Sequence, residues 1–207
     1  VAGVAPGHAV LVGSGSVGLS AARVLMGLDA RVTVMSRDLP RLAFLQEQFG
    51  GRLATRMSTP HALAQELAGA DLLILSVLVP GAAAPKVVTR EMVRSMGPGA
   101  VLVDVSIDQG GASETSRVTS HSDPVYIDEG VVHYCVSNMP GAVPHTSTQA
   151  LTNATLPFIG ELANLGIEAA LRADRGLALS LSTYGGKLVR GPVAEEFGMS
   201  ASPNPFL

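Results

Sequence analysis

Short apolar runs alternate with amphipathic segments through the first half of the chain. The runs have the length of strands and are rich in Val, Leu and Ile, as is typical of strands buried on both faces. These predicted strands span residues 9–12, 31–35, 53–57, 71–77 and 100–105. Helices are predicted at residues 19–28, 39–49 and 89–96, and from Pro60 onward with Ser58 or Thr59 as the cap. The alternation predicts an α/β fold, a doubly wound parallel sheet with helices on both faces.

The pattern changes in the second half of the chain, where polar stretches lengthen. This half is predicted to contain a polar loop (107–124), a hairpin (125–127 with 131–136), a long helix (147–165), two short helices (168–171 and 193–197) and a frayed end (203–205). Pro157 would be a kink or a starting point of the long helix. Long ordered loops often carry function, so the polar loop is a candidate part of the site.

A glycine-rich turn joins the first predicted strand to the first predicted helix. It has the form G-x-G-x-x-G and consists of Gly13, Ser14, Gly15, Ser16, Val17 and Gly18. In such a turn Gly13 allows a sharp reversal, Gly15 lets a pyrophosphate approach the backbone, and Gly18 lets the helix pack on the strand. An ordinary tight turn is the alternative. The position of this glycine-rich sequence between a strand and a helix favours a Rossmann-type dinucleotide-binding domain.

Composition narrows the classes of partner and compartment. The 207 residues suffice for one sizeable core, and a net charge of −3 without a basic block argues against nucleic acid and anionic membranes as partners. Cys135 is the only cysteine, so no internal disulfide can form, and no signal peptide is visible. These features predict a cytoplasmic protein. No metal site is expected, because no His or Cys pair has the short spacing of metal ligands.

Several further motifs follow one another in a fixed order. They are LVPG (78–81), APK (84–86), VD (103–104), IDQGG (107–111), HSDP (121–124), VHYCV (132–136), NMPGAVP (138–144) and ALTNAT (150–155). The set resembles the alanine dehydrogenase family over essentially the whole chain. The nucleotide-binding subunit of proton-translocating transhydrogenase is related and shares the fold.

The resemblance implies an activity and a division into domains. The family oxidises L-alanine reversibly to pyruvate and ammonia, with NAD taking the hydride. By this likeness residues 1–138 are an NAD(P)-binding Rossmann domain, and residues 139–207 are a helical segment that returns into the substrate domain. The family's catalytic histidine, with its substrate-binding arginine and lysine, lies in an N-terminal segment that nothing here matches. The chain alone is therefore expected to be inactive on alanine. It could be a fragment, a subunit awaiting a partner, or a non-catalytic or repurposed nucleotide-binding module.

The resemblance also implies individual site residues. Asp108 would be catalytic, because a carboxylate beside the nicotinamide can orient the amine or imine and stabilise its charge. Alternatively, Asp108 only caps the loop that follows it, since Asp and Gly favour turns. The residues expected near the dinucleotide, besides the glycine-rich turn, are Ser58, Val77, Leu78, Ile107, Val136, Asn138 and Met139.

One departure from the family concerns the choice of dinucleotide. NAD enzymes usually carry an acidic residue at the end of the second strand for the ribose 2′-hydroxyl. This chain has Ser36 and Arg37 there, and an arginine beside a small hydroxyl suits a 2′-phosphate. The cofactor is therefore predicted to be NAD(P)H with a lean toward NADP(H). Alternatively, Arg37 is a solvated surface charge and Asp38 takes the acidic role.

The predicted partners are a dinucleotide and a small-molecule substrate. The segment at residues 150–165 would pack, in the family, against the unmatched segment or a neighbouring subunit. Left exposed it would present an apolar patch, so a homo-oligomer or a partner chain is expected over it.

Overall fold

The computed structural model describes residues 2–207 and contains a central seven-stranded sheet. Its strands are β1 (His8–Val12), β2 (Arg31–Ser36), β3 (Ala54–Met57), β4 (Leu72–Leu75), β5 (Val101–Asp104), β6 (Val125–Asp128) and β7 (Val131–Tyr134). They lie in the order β3-β2-β1-β4-β5-β7-β6, with β6 antiparallel to β7 and every other neighbouring pair parallel. The order reverses between β1 and β4, which is where doubly wound sheets bind ligands. The predicted fold class is confirmed.

Helices cover both faces of this sheet. They are α1 (Ser16–Gly27), α2 (Leu39–Gln48), α3 (Pro60–Leu67) and α4 (Arg90–Met96). Side chains alternate along a strand, so Val10 and Val12 of β1 pack with α3 and α4, whereas Leu11 packs with α1 and α2. Thr59 caps α3 by accepting a hydrogen bond from the backbone N–H of Ala62, as one of the two predicted caps.

The chain divides into two compact units. One takes in the chain up to Val79 together with Ala83–Met139, and the other takes in Pro80–Ala82 and Pro140–Leu207. The second unit contains α5 (Pro144–Leu165), α6 (Ile167–Ala173), α7 (Arg175–Ser180), β8 (Thr183–Tyr184), β9 (Lys187–Leu188) and α8 (Gly191–Glu196). Pro157 lies inside α5, and no side chain of α5 is buried. Among the helices of residues 2–207, none combines the length and apolar character needed to cross a membrane.

The prediction of a frayed C-terminal end is wrong. The Asn204 side-chain amide donates to the carbonyl of Ala178 over 2.9 Å, and the backbone N–H of Ser202 donates to the carbonyl of Leu188 over 2.8 Å. Phe206 packs edge-on against Tyr184 with 5.0 Å between ring centroids. Proline removes backbone donors, but these side-chain and main-chain contacts still fasten the segment.

Candidate functional site

Two glycines of the turn after β1 are required by close packing. Gly13 has φ +117°, and its N–H donates to the carbonyl of Met35 over 2.9 Å. A Cβ at Gly13 would overlap the backbone carbonyl oxygen of Ser76, and a Cβ at Gly18 would overlap the carbonyl oxygen of Gly13. The chain therefore reverses sharply at Gly13, and α1 packs against the turn at Gly18.

Gly15 is open where the other two are crowded. Apart from Gly15 itself and its two chain neighbours, no heavy atom of residues 2–207 comes within 4 Å of the position that its Cβ would take. Gly15 directly precedes α1, whose start has no side-chain cap and no acidic residue in its first turn. The first N–H groups of α1 thus face outward with the positive end of the helix dipole. This arrangement suits an anion.

A cavity of about 660 Å³ opens at the carboxyl ends of β1 to β4. Such a volume is in the range of small-molecule sites. Eight predicted site residues line it: Gly13, Ser14, Gly15, Ser36, Arg37, Ser58, Val77 and Leu78. The other lining residues are Val12, Met35, Asp38, Pro60, Leu63, Ser76, Pro85, Lys86, Val87, Thr89 and Met92. Ser16 and Val17 instead line a separate, open apolar depression that is formed by α1 and by Ile74 of β4.

Two hydrogen-bonded serine hydroxyls and an arginine without a partner among the described residues lie at the end of β2. Ser14 Oγ donates to Ser36 Oγ over 2.8 Å. The Asp38 carboxylate caps α2 by accepting from the backbone N–H of Arg41 over 2.9 Å, so it already has a structural role. Arg37 is exposed at the cavity and forms no hydrogen bond or ion pair with the other described residues. Its guanidinium therefore remains available to a ligand.

Arg41 supports this part of the cavity and was missed in the sequence. Its Nε donates to the carbonyl of Ser14 over 2.8 Å, and its guanidinium lies 4.8 Å from the ring centroid of Phe44. Arg41 thereby ties the glycine-rich turn to α2. An arginine three positions after a helix cap is too common for its role to be read from sequence.

Asp108 lies outside the cavity lining, in a 3₁₀ turn at Val105–Gln109. Its Oδ1 accepts from Ser137 Oγ over 2.6 Å and from the backbone N–H of Asn138 over 3.0 Å. Asn138 has φ +52°, an uncommon conformation for a residue other than glycine. The structure therefore brings Asp108 together with Asn138 and its neighbour Met139, three of the predicted site residues.

A buried carboxylate before that turn organises the loop, a role that was not predicted from the sequence. Asp104 is fully buried at the end of β5. Its Oδ1 accepts from the N–H of Ser106, and its Oδ2 accepts from the N–H of Ala112 over 2.7 Å and from Ser116 Oγ over 2.6 Å. Ser106 Oγ in turn accepts from the N–H of Val77 over 3.0 Å. Asp104 thus connects the Asp108 turn to the cavity wall.

Two predicted site residues have their side chains in the interior. Ile107 and Val136 are buried, and Ile107 belongs to the hydrophobic core beside α3 and α4. A ligand could reach them only through their backbone atoms. Residues 2–207 contain no group of three His, Cys, Asp or Glu side chains arranged to hold a metal ion.

Two buried histidines make the stability of the fold depend on pH. His133 is bonded at Nε2 to Thr115 Oγ1 (2.8 Å) and at Nδ1 to the Val131 carbonyl (2.9 Å), and His8 Nε2 lies 3.1 Å from Thr33 Oγ1. Burial lowers the pKa of both side chains below the ordinary value of 6.5. Below pH 6.5 the unfolded chain therefore binds protons that the folded chain does not.

We therefore expect the two histidines to leave the free energy of unfolding undiminished above pH 6.5. They should lower it as the pH drops through their lowered pKa values. The slope contributed by each histidine is at most about 1.4 kcal/mol per pH unit. Urea unfolding between pH 7.5 and 5 measures it. His133→Gln should reduce the slope, whereas His61→Gln, at an exposed position of α3, should not. A flat pH profile in the unaltered chain would show that burial does not suppress protonation.

Comparison with known proteins relates this geometry to a family. The family profile described as "Alanine dehydrogenase/PNT, C-terminal domain" matches residues 1–191. Curated alanine dehydrogenases from Halomonas elongata and Mycolicibacterium smegmatis are 54% and 49% identical over 199 residues, which is 96% of this chain and 54% of each relative. The chain thus spans about half the length of the curated relatives it matches.

Solved structures agree with the sequence relatives. An L-alanine dehydrogenase structure superposes with a TM-score of 0.85 and 46% identity, covering 96% of this chain and 55% of that one. A transhydrogenase from Sinorhizobium meliloti shares the fold, with a TM-score of 0.70 and 24% identity over 90% of this chain and 50% of that one. The family binds a nicotinamide dinucleotide. The resemblance seen in the sequence is confirmed, and the chain belongs to the alanine dehydrogenase/PNT family.

Proposed function

We propose that the cavity at the carboxyl ends of β1 to β4 binds NAD(P)(H) and prefers NADP(H). The observation that carries this proposal is the opening at Gly15, where an uncapped helix start faces a cavity that holds an unengaged arginine. The crowding at Gly13 and Gly18 also supports dinucleotide binding, because these glycines bring the backbone of the turn close to α1.

The residues of the cavity have distinct roles in this binding. The first N–H groups of α1 bind the pyrophosphate. Arg37 pairs with a 2′-phosphate, and the Ser36 hydroxyl, held by Ser14, leaves room and no negative charge beside it. We assign the 2′-position to Arg37 rather than to Asp38, whose Oδ1 already caps α2. Val77 and Leu78, after β4, lie where the nicotinamide half would extend across the sheet.

We infer that the chain is a module of an oxidoreductase that moves a hydride between L-alanine, or a related amino acid, and its 2-oxo acid. The bound dinucleotide supplies or accepts that hydride. Residues 1–138 form the nucleotide-binding domain in this proposal, and residues 139–207 form the segment that returns into a substrate domain. Asp108, held in one orientation by Ser137 and Asn138, stabilises the positive charge of the amine or imine.

The long helix α5 favours an assembly larger than one chain. Several large apolar side chains of α5 are more than 40% exposed: Leu151, Leu156, Phe158 and Ile159. Burying such a face gains free energy in proportion to its apolar area. We therefore expect α5 to be covered by another copy of the chain or by a partner chain.

Two assays on the purified 207-residue chain test the proposed function. Fluorescence titration with NADPH and NADH measures binding, and it is helped by the absence of tryptophan. Alanine oxidation and pyruvate amination with ammonia measure turnover. We expect saturable binding without turnover, because no residue matches the family's catalytic histidine. Failure to bind either nucleotide would overturn the dinucleotide proposal. Turnover would show that these residues hold a catalytic group of their own.

A further inference from the structure

The wall of the cavity beyond β4 is fastened to the loop that carries Asp108. We call the paired segments 84–88 and 109–114 the clasp. They exchange backbone hydrogen bonds from Ala84 N–H to the Gln109 carbonyl (2.8 Å), from Val87 N–H to the Ala112 carbonyl (2.9 Å) and from Glu114 N–H to the Val88 carbonyl (3.0 Å). The first segment lines the cavity and the second begins directly after Asp108.

Lys86 adds a side-chain link to the clasp. It lines the cavity, and its Nζ donates to the carbonyl of Gly110 over 2.6 Å. Gly110 has φ +91° and lies two residues after Asp108. An ammonium group has three donors, and Gly110 uses one of them. The others can bind a ligand oxygen without releasing the loop.

The strand order indicates which half of a dinucleotide Lys86 would meet. The glycine-rich turn follows β1, Arg37 follows β2 on one side of it, and Lys86 follows β4 on the other side. A dinucleotide with its pyrophosphate at α1 and its 2′-phosphate at Arg37 would extend its nicotinamide half toward Lys86. The ribose hydroxyls and the carboxamide of that half offer oxygen acceptors.

We propose that Lys86 is a positioning residue that couples occupation of the cavity to the turn carrying Asp108. The inference rests on the proposed function, because it needs a dinucleotide in the cavity. Lys86 holds the Gly110 carbonyl and a ligand oxygen at once, so binding restrains the turn at residues 105–110. Lys86 is not required for the fold itself, because it is exposed and the backbone bonds already join the clasp.

Lys86→Met tests this coupling, with Lys86→Arg as the conservative variant. The chain has one other lysine, Lys187, which is exposed in the second unit, so Lys187→Met is the matched control. NADPH affinity is measured by fluorescence, and hydrogen exchange is followed by mass spectrometry in peptides covering residues 105–116. Thermal unfolding shows that each variant is folded.

In the unaltered chain, NADPH should slow exchange at residues 105–116. Lys86→Met should bind NADPH about three- to tenfold more weakly and, even at saturation, should lose most of that slowing. Lys86→Arg should retain it, and Lys187→Met should match the unaltered chain. If saturating NADPH slows exchange in Lys86→Met as much as in the unaltered chain, the inference about Lys86 is overturned and the proposed function is not. Failure of the unaltered chain to bind either nucleotide would overturn the proposed function, and this inference with it.

Discussion

Gly15→Ala is expected to abolish most dinucleotide binding while leaving the fold intact. Beyond residue 15 and its two chain neighbours, the new methyl group meets no heavy atom of residues 2–207 within 4 Å, and φ at Gly15 is −73°, which alanine adopts without strain. Stability should be unchanged or rise by about 0.5 kcal/mol, because alanine reduces the entropy of the unfolded chain. The same methyl group occupies the space through which a pyrophosphate reaches the N–H groups of α1. We expect NADPH affinity to fall by about a hundredfold, equivalent to about 2.7 kcal/mol.

Gly13→Ala is the matched contrast in the same turn. Its Cβ would overlap the Ser76 carbonyl oxygen, and φ +117° is strained for alanine. We expect a loss of about 3 kcal/mol in the free energy of unfolding. Urea unfolding and NADPH titration of both variants separate packing from binding. Unimpaired NADPH binding by Gly15→Ala would contradict the assignment of the pyrophosphate to the start of α1.

Ser36→Asp is expected to reverse the choice of dinucleotide. A carboxylate at position 36 could still accept the hydrogen bonds that Ser14 Oγ and the Asp38 N–H now give to the Ser36 hydroxyl. It would accept the ribose 2′-hydroxyl of NADH and repel a 2′-phosphate, which carries nearly two negative charges at neutral pH. We expect the ratio of NADPH to NADH affinity to fall by about a hundredfold.

Arg37→Ala should lower NADPH affinity by about tenfold and leave NADH affinity nearly unchanged, because only the 2′-phosphate would pair with the guanidinium. Arg23→Ala removes an exposed charge on α1 away from the cavity and is the control for net charge. Titrations in low and moderate salt provide the measurement. Equal losses for both nucleotides in Arg37→Ala would mean that this arginine does not discriminate between them.

Local signals in the sequence were enough to predict the sheet and the start of the site. Apolar runs predicted the parallel strands, and the spacing of Gly13, Gly15 and Gly18 predicted the turn that the structure shows. Ser36 and Arg37 lie at the cavity because ligands of open α/β sheets bind outside the carboxyl ends of the strands, and these residues are at the carboxyl end of β2. Such features depend on residues that are close in the chain, and a single sequence reveals them.

The second half of the site depends on contacts between distant residues. Asp104 accepts hydrogen bonds from Ala112 and Ser116, and Lys86 donates one to the Gly110 carbonyl. These contacts exist only once the loop has folded back, so the sequence alone does not reveal them. The short helix α7 and the hairpin of β8 and β9 were missed, because each is too brief to show a period. The anchored end at Asn204 was missed for a similar reason, since its partner Ala178 lies 26 positions away.

The dissociation constants of NADPH and NADH for the unaltered chain test the central claim most directly. Both are measured by fluorescence titration on one preparation at one ionic strength, because phosphate contacts weaken with salt. An unengaged Arg37 beside Ser36 predicts that NADPH binds about tenfold more tightly than NADH, equivalent to about 1.4 kcal/mol. NADH binding tenfold more tightly than NADPH would contradict the account.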